Sequence, residues 1–315
     1  QAEDGIRDKL VTGVQTCALP ILLMAAVGGL SVIGLFLVFS ATRPRLISNG
    51  LDPYQFVQRQ LVFLIIAIGV MAVVMWMDYV QLRGSSQALY AATMFLLLMV
   101  LVIGGVKGGA KLSFDIGPIA LQPSEFAKVV TLLMLAGFLA DDDGENVPYE
   151  RLIQSLFIVG APAVLVLAEP DLGSASVLVA CAMGVLLVAG ARVKYIAFIT
   201  GMGILSGIAG VASGIVRSYQ LKRITAFLQQ NSDSADLQNL ITQVKFAKRA
   251  VATGGFFGKG YLQGPLTNGR FIPVQSTDFV FSALGEQFGM LGCAVLLGLF
   301  AVVLWRIYQI GRAHV

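Results

Sequence analysis

The sequence contains few of the side chains that most soluble enzymes use for catalysis. It has one histidine, His314, and three cysteines, Cys17, Cys181 and Cys293, which lie far apart along the chain. This spacing matches no zinc-binding pattern and does not imply disulfides. Zinc chemistry and histidine-based acid–base catalysis are therefore not expected, and any proton transfer falls to carboxylates, lysine, tyrosine or water.

Charge is scarce as well. Only 13% of the 315 residues are charged and 57% are hydrophobic, with a mean hydropathy of +0.80, outside the usual range of globular proteins. Eight apolar runs approach the length that crosses a bilayer, and the fourth and fifth are short or interrupted. They lie at about 21–40, 60–78, 88–104, 124–140, 152–168, 172–190, 194–215 and 279–308. Because lipid admits only helices or closed barrels, the sequence predicts an all-α, polytopic membrane helical bundle of about eight transmembrane helices.

The two ends do not fit this pattern. Residues 1–20 show no helix cap, heptad or signal-peptide pattern, and residues 309–315 follow directly on an apolar run. We interpret both as non-native, which leaves 21–308 as a single transmembrane domain.

Polar features concentrate in the loops after the first, third, fifth and seventh runs, which share one side of the membrane if all eight runs cross it. That side holds 14 of the 22 lysines and arginines. Most of this excess lies in the long loop at 216–277, and long loops cross membranes largely regardless of charge. Charge alone therefore does not decide the orientation.

The long loop is a functional candidate because connections of this length are uncommon. Its segment 234–255 has an apolar stripe at helical spacing and ends at Gly254 and Gly255, which predicts an amphipathic helix at the membrane interface. The stripe consists of Leu237, Leu240, Ile241, Val244 and Ala247, with Lys245, Lys248 and Arg249 off it. A second amphipathic piece is RSYQLKRITAFL, at 217–228.

Three clusters on the same side have ordinary structural explanations. In QPSEFAK, at 122–128, an early proline and Glu125 in the first turn make a good helix start. In EPDLG, Asp171 can cap a helix, although a turn leaves Glu169 unexplained. The run GGFFGKGYLQG, at 254–264, fails the phosphate-loop pattern, but Lys259 and backbone amides can still contact an anion.

The fourth cluster is FIPVQSTDFVFSALGEQFG, at 271–289. Ser276, Thr277 and Asp278 form a helix-cap cluster, whereas Glu286 lies too far into the apolar run to be a cap. An acid at that depth should face the bundle interior or a watery cavity. Together the four clusters predict a basic site for a lipid-borne anion at one membrane surface, with a carboxylate as base.

The motifs GGAK, DIG, QPSEFAK, EPDLG, YQLKRITAFL, GKG and PVQSTDFVFSALGEQFG resemble, in this order, those of the FtsW/RodA family, also called SEDS proteins. The resemblance implies a peptidoglycan glycosyltransferase in the bacterial cytoplasmic membrane. Such an enzyme polymerises lipid II with inversion at the outer face, for cell elongation or division. TNGRFIPVQSTDF is closer to the elongation (RodA-like) branch. Family members have ten spans, so the resemblance also implies truncation at the C-terminal end.

The resemblance also implies partners and site residues. The partners are lipid II, a class B penicillin-binding protein acting as transpeptidase, and membrane proteins of the elongasome or divisome, with no nucleic acid. The family's essential aspartate falls on Asp278, the expected general base. The expected substrate-binding residues are Lys111, Glu125, Asp171, Lys245, Lys248, Arg249, Lys259 and Glu286. A divalent cation, Mg²⁺ or Mn²⁺, can assist, although the sequence assigns it no ligands.

The sequence departs from the family motifs at two places and is compatible with two other functions. Leu112 and Ser113 stand where the family usually has Arg-Trp, and Ser276 stands where it usually has His. The alternatives are a flippase or transporter for lipid-linked precursors and a non-catalytic scaffold for a penicillin-binding protein. A lipid II polymerisation assay separates all three.

Overall fold

The computed structural model of the protein describes residues 2–107, 110–116, 119–140, 147–169, 171–212, 225 and 238–313. Within these ranges the helices are α1 (Ala2–Ser48), α2 (Gln55–Trp76), α3 (Tyr79–Ile103), α4 (Pro123–Leu139), α5 (Tyr149–Ala168), α6 (Leu172–Val188), α7 (Val193–Ala212), α8 (Gln238–Gly254), α9 (Pro265–Asn268) and α10 (Val280–Ala313). Each of the eight apolar runs coincides with one helix, which confirms the predicted all-α bundle. Helix α1 begins inside residues 1–20, and the interpretation of these residues as non-native stays a prediction.

Six of the described helices are long and apolar enough to cross a bilayer: α1 from Ile21, α2, α3 from Val80, α5, α7 and α10 to Gly311. Helices α4 and α6 have 17 residues each. The fifth run forms a 20-residue helix although it contains Pro162, so the second short helix is α6 rather than α5.

A small antiparallel sheet lies between α3 and α4 in the sequence and was not predicted. Its strands are β1 (Gly105–Lys107), β2 (Ala110–Ile116) and β3 (Ile119–Leu121), in the order β1-β2-β3. Val106 pairs with Lys111, and Phe114 pairs with Leu121. The glycines of 104–117 are typical of tight turns, whereas the alternating AKLSFDI pattern of β2 is typical of a strand.

The chain forms two compact units, residues 1–72 with 222–315 and residues 73–221. In the first unit, Leu37 of α1 packs with Leu284 and Cys293 of α10. The second unit has two clusters, one around Leu135 and Leu186 and the other around Leu97 and Val166. Many large apolar side chains remain exposed on the helices, which suits surfaces that face lipid.

Candidate active site

Asp278 lies on the turn that leads into α10, two residues before the helix begins. Its side chain is exposed, and its backbone N–H donates to the carbonyl of Val274 at 3.2 Å. Within the described part of the chain, no hydrogen bond or ion pair reaches the Asp278 carboxylate. The carboxylate is therefore not used as the predicted helix cap and is available as a base.

Glu286 lies on α10, and its side chain is fully buried. One carboxylate oxygen accepts a hydrogen bond from the backbone N–H of Leu266 at 2.7 Å. The other accepts from the N–H and the hydroxyl of Thr267, at 2.9 and 2.6 Å. Leu266 and Thr267 belong to the first turn of α9, where backbone N–H groups have no partner within the helix. Glu286 therefore caps α9 and fixes it to α10.

A chain of buried polar side chains continues from this cap toward Asp278. The amide of Gln275 donates to the Thr267 hydroxyl oxygen at 3.0 Å and lies 3.4 Å from the hydroxyl of Ser282 on α10. The Ser282 hydroxyl donates to the carbonyl of Phe279 at 2.7 Å. Gln275 and Phe279 flank Asp278 in the sequence, so this network fixes both ends of the turn that carries the candidate base.

Helix α10 is interrupted at Gly289, whose φ of 65° and ψ of −159° are open essentially only to glycine. The residues around the break bond to the preceding loop. The carbonyl of Glu286 accepts from the N–H of Lys259 at 2.9 Å, and the N–H of Met290 donates to the carbonyl of Gly255 at 2.9 Å. The loop thus replaces the helical hydrogen bonds that the break removes. The backbone N–H and C=O groups at the break therefore keep partners inside a membrane-spanning helix.

Gln287 joins three parts of the first unit at this break. Its side-chain oxygen accepts from the hydroxyl of Ser40 on α1 at 2.7 Å and from the N–H of Leu262 at 3.0 Å. Tyr261 donates to the carbonyl of Phe36 at 3.1 Å, and burial raises the pKa of the Tyr261 hydroxyl. The loop is therefore attached to both α1 and α10.

The predicted amphipathic helix is confirmed as α8, which ends at Gly254 before Gly255 with a φ of +63°. Ile241 and Ala250 are buried, and Gly254 and Gly285 let α8 approach α10 closely. Of the stripe residues whose side chains the structure describes, Ile241 is buried and Val244 and Ala247 are half-buried. The location of α8 at the membrane interface stays a prediction. The side chains of Lys245, Lys248, Arg249 and Lys259 are exposed. The second amphipathic piece, 217–228, lies outside the described residues except for position 225.

A cleft of about 710 Å³ opens beside the turn that carries Asp278. One wall is the end of α1 with the start of α2, and the other is the segment from α9 to Ser276. The described residues that line it are Ala41, Thr42, Arg45, Asn49, Phe56, Thr267, Gly269, Arg270, Ile272, Pro273, Val274, Gln275 and Ser276. The cleft therefore combines two arginines with hydroxyl and amide groups next to the candidate base.

The second unit holds the other predicted residues. Asp171 caps α6, since it accepts the N–H of Ser174 at 3.0 Å, and it also accepts the side-chain amide of Gln122 at 3.1 Å. This confirms the predicted cap. Glu125 is exposed and forms a 2.8 Å ion pair with Lys128. Lys111 lies on β2, and its side chain is outside the described part of the structure.

Glu169, at the end of α5, is the one acid that the turn interpretation left unexplained. Its side chain is fully buried, and neither carboxylate oxygen has a hydrogen-bond partner among the described residues. Burial, with a smaller contribution from the negative charge of Asp171, raises the pKa of Glu169 from its ordinary value of 4.5 to about 7.

The predicted site residues are thus divided between the units. The first contains Asp278, Glu286 and Lys259, joined by the loop and α10, together with the cations of α8; the second contains Lys111, Glu125 and Asp171. The sequence did not indicate Arg45, Arg270 or the polar network of Gln275 as parts of the site. The prolines and glycines of 264–273 are typical of a loop, but no sequence spacing shows that this loop returns to α1.

Comparison with known proteins identifies the relatives. Stage V sporulation protein E of Bacillus subtilis is 34% identical over 280 residues, which covers 88% of this chain and 75% of that protein. A probable peptidoglycan glycosyltransferase FtsW of Tolumonas auensis is 34% identical over 294 residues, covering 92% of this chain and 73% of that protein. The fold is similar to a solved structure of a peptidoglycan synthase complex that coordinates polymerization and crosslinking. The TM-score is 0.69 at 26% identity, covering 91% of this chain and 76% of the solved one.

The family model for the FtsW, RodA and SpoVE cell cycle proteins matches residues 21–314, nearly the whole chain and all the motifs quoted above. The chain therefore belongs to the FtsW/RodA/SpoVE family.

Proposed function

We propose that the protein is a peptidoglycan glycosyltransferase that polymerises lipid II into glycan strands. The observation that carries the proposal is the Asp278 carboxylate. It is exposed and unpaired among the described residues, on a turn whose two ends are hydrogen-bonded to buried side chains. The FtsW relatives named as probable peptidoglycan glycosyltransferases support the reaction class.

In the proposed reaction Asp278 acts as general base. Its carboxylate takes the proton from the 4-hydroxyl of the acceptor's GlcNAc, and the freed oxygen attacks the anomeric carbon of the donor chain's terminal MurNAc. The new C–O bond forms as the bond to undecaprenyl diphosphate breaks, and the leaving diphosphate keeps the electron pair. Attack opposite to the leaving group inverts the anomeric carbon. A diphosphate needs no proton to leave, so one catalytic carboxylate is enough.

Cationic side chains neutralise the diphosphate as its charge develops. Lys259 is attached to α10 through its backbone, and Lys245, Lys248 and Arg249 extend from α8 in the same unit. The proposed contacts of Lys111, Glu125 and Asp171 with substrate rest on the family resemblance. Glu286 was also assigned to substrate binding, but both of its oxygens are engaged by α9, which supports a positioning role.

A divalent cation has no evident site made by protein side chains alone. No group of three His, Cys, Asp or Glu residues that could hold a metal ion occurs in the part of the chain that the structure describes. Mg²⁺ is often bound by one or two carboxylates and substrate phosphates, so the cation stays a proposal for the substrate-bound state. No step of the mechanism is assigned to it.

The proposed setting is the bacterial cytoplasmic membrane, with the N-terminus inside and Asp278 at the outer face. The proposed partner is a class B penicillin-binding protein that crosslinks the new strands. This partnership is supported by the similarity to a solved peptidoglycan synthase complex. The assignment to the elongation (RodA-like) branch stays a prediction, because the relatives include FtsW and stage V sporulation proteins.

The test is polymerisation of purified lipid II by the complete protein together with its transpeptidase. We expect glycan strands from the wild type and none from Asp278→Ala. Equal strand formation by the two would refute the assignment of the base. A wild-type protein that moved lipid II across vesicles without polymerising it would instead be a flippase, and one that only activated the transpeptidase would be a scaffold.

A further inference from the structure

The cleft beside Asp278 brings two arginines together that the proposed mechanism does not use. Arg45 lies in the last turn of α1, and Arg270 follows α9. The Arg270 guanidinium donates to the Ser48 hydroxyl oxygen at 2.7 Å, and that hydroxyl donates to the carbonyl of Arg45 at 3.0 Å. Ser48 therefore connects the two cationic residues across the two walls of the cleft.

The chemistry of the cleft fits an anion. Its described lining contains two positive charges and no carboxylate, and it adds the polar groups of Thr42, Asn49 and Ser276. Two guanidinium groups that line one cleft both attract a negative group placed between them. The planar, multidentate geometry of guanidinium matches phosphate oxygens particularly well.

The position of the cleft favours a ligand that belongs to a lipid. The membrane-spanning part of α1 ends at Ser48, and Arg45 and Asn49 lie at that end. In a helix that crosses a bilayer, such a position is level with the phosphates of lipid headgroups. The volume of about 710 Å³ is within the usual range of ligand pockets, roughly 300–1,000 Å³, and has room for a diphosphate with its first sugar.

We propose that this cleft binds a phosphate group carried by a membrane lipid, with Arg45 and Arg270 as its cationic ligands. Two lipids have the required chemistry, the polyprenyl diphosphate of the donor substrate and an anionic phospholipid. The donor is the expected source, a choice that rests on the proposed function. Val274 and Ser276 line the cleft, and the N–H of Asp278 donates to the Val274 carbonyl. A diphosphate bound here would leave its sugar next to the candidate base.

The experiment measures binding of undecaprenyl diphosphate to the complete protein in phosphatidylcholine nanodiscs. The test variant combines Arg45→Gln with Arg270→Asn. Asparagine suits the second position because Arg270 has a left-handed φ of 57°, which asparagine tolerates better than most residues. We expect the double variant to bind at least about tenfold more weakly, as for the loss of one or more charge-assisted contacts. The control is Arg306→Gln, near the opposite end of α10, which should bind as the wild type does.

Competition with phosphatidylglycerol identifies the source. Undecaprenyl diphosphate that resists this competition supports the donor site, whereas equal competition supports a phospholipid headgroup in the cleft. The inference is overturned if the double variant, folded by its melting temperature, binds both lipids as tightly as the wild type. Asp278→Asn should retain the binding while losing polymerisation. A wild type that binds through the two arginines but makes no strands would refute the proposed function and leave the cleft assignment standing.

Discussion

Two buried glutamates of this chain have opposite surroundings. Glu286 accepts three hydrogen bonds from α9, whereas Glu169 accepts none from the described residues. Donors around a buried carboxylate satisfy its oxygens, whereas a buried carboxylate without donors is driven toward its neutral form. The two residues therefore make different predictions.

Glu286→Gln should destabilise the protein although it replaces only one carboxylate oxygen with an NH₂ group. The amide N–H₂ would face the N–H groups of α9 and leave at least one buried donor without an acceptor. Such a group costs about 1–3 kcal/mol, so the melting temperature should fall by roughly 3–10 °C. Thermal unfolding in detergent measures this. The control is Glu125→Gln, where the side chain is exposed and the melting temperature should hardly move. An unchanged melting temperature in both would contradict the anchoring role of Glu286.

Glu169 should make stability depend on pH. The folded protein keeps the Glu169 proton up to about pH 7, whereas the unfolded chain loses it near 4.5. Between these values the folded state binds more protons than the unfolded chain. The stability that Glu169 contributes is therefore fully present below pH 4.5 and is lost as the pH rises through 7. Glu169→Gln keeps the shape without the titrating proton. Melting temperatures at pH 5 and pH 8 should show the variant gaining over the wild type at pH 8. An identical pH profile for both proteins would exclude this protonation.

At this scale the sequence indicated the acids but not their partners. Asp278 and Glu286 were recognisable because carboxylates are rare next to or within apolar runs. Chain reversals bring Leu266 and Thr267 to Glu286. They also place Arg45 and Arg270 in one cleft. No periodicity encodes such reversals.

At the scale of elements, the helices were predictable because bilayer-length apolar runs admit few other structures. The predicted glycine stop of α8 is also confirmed, by Gly255 with its positive φ. Strand β2 was detectable from its alternating AKLSFDI pattern, whereas the strands β1 and β3 and the short helix α9 carry too little periodicity to be found in the same way. The break in α10 was hidden as well, since Gly289 is one of several glycines along that helix.

The break gives a prediction with a matched control in one helix. A Cβ at Gly289 would clash with the backbone nitrogen of Gly258, in a backbone conformation that alanine avoids. We expect Gly289→Ala to cost about 3 kcal/mol or more and to lower the melting temperature by at least about 5 °C. Gly298→Ala meets nothing within 4 Å and should be neutral or slightly stabilising. Equal melting temperatures for the two variants would show that the break is not needed.

At the scale of the whole molecule, the proposed orientation can be tested by labelling. In a cysteine-free background, single cysteines replace two exposed residues, Gln263 in the loop after α8 and Lys194 at the start of α7. The loop is proposed to lie outside the cell and the α6–α7 connection inside. A membrane-impermeant maleimide should therefore label Gln263→Cys in intact spheroplasts and Lys194→Cys only after lysis. The reverse pattern would invert the proposed topology.

The central claim is that Asp278 is the base of a lipid II polymerase, and one substitution tests it most directly. Asp278→Asn keeps the size of this exposed side chain and removes its ability to take a proton. With the complete protein and its transpeptidase, we expect polymerisation of lipid II to fall at least about 100-fold, the usual contribution of a general base. Asp78→Asn, which only replaces the cap of α3 with another good cap, should retain full activity. Polymerisation by Asp278→Asn at the rate of the wild type and of Asp78→Asn would contradict the account.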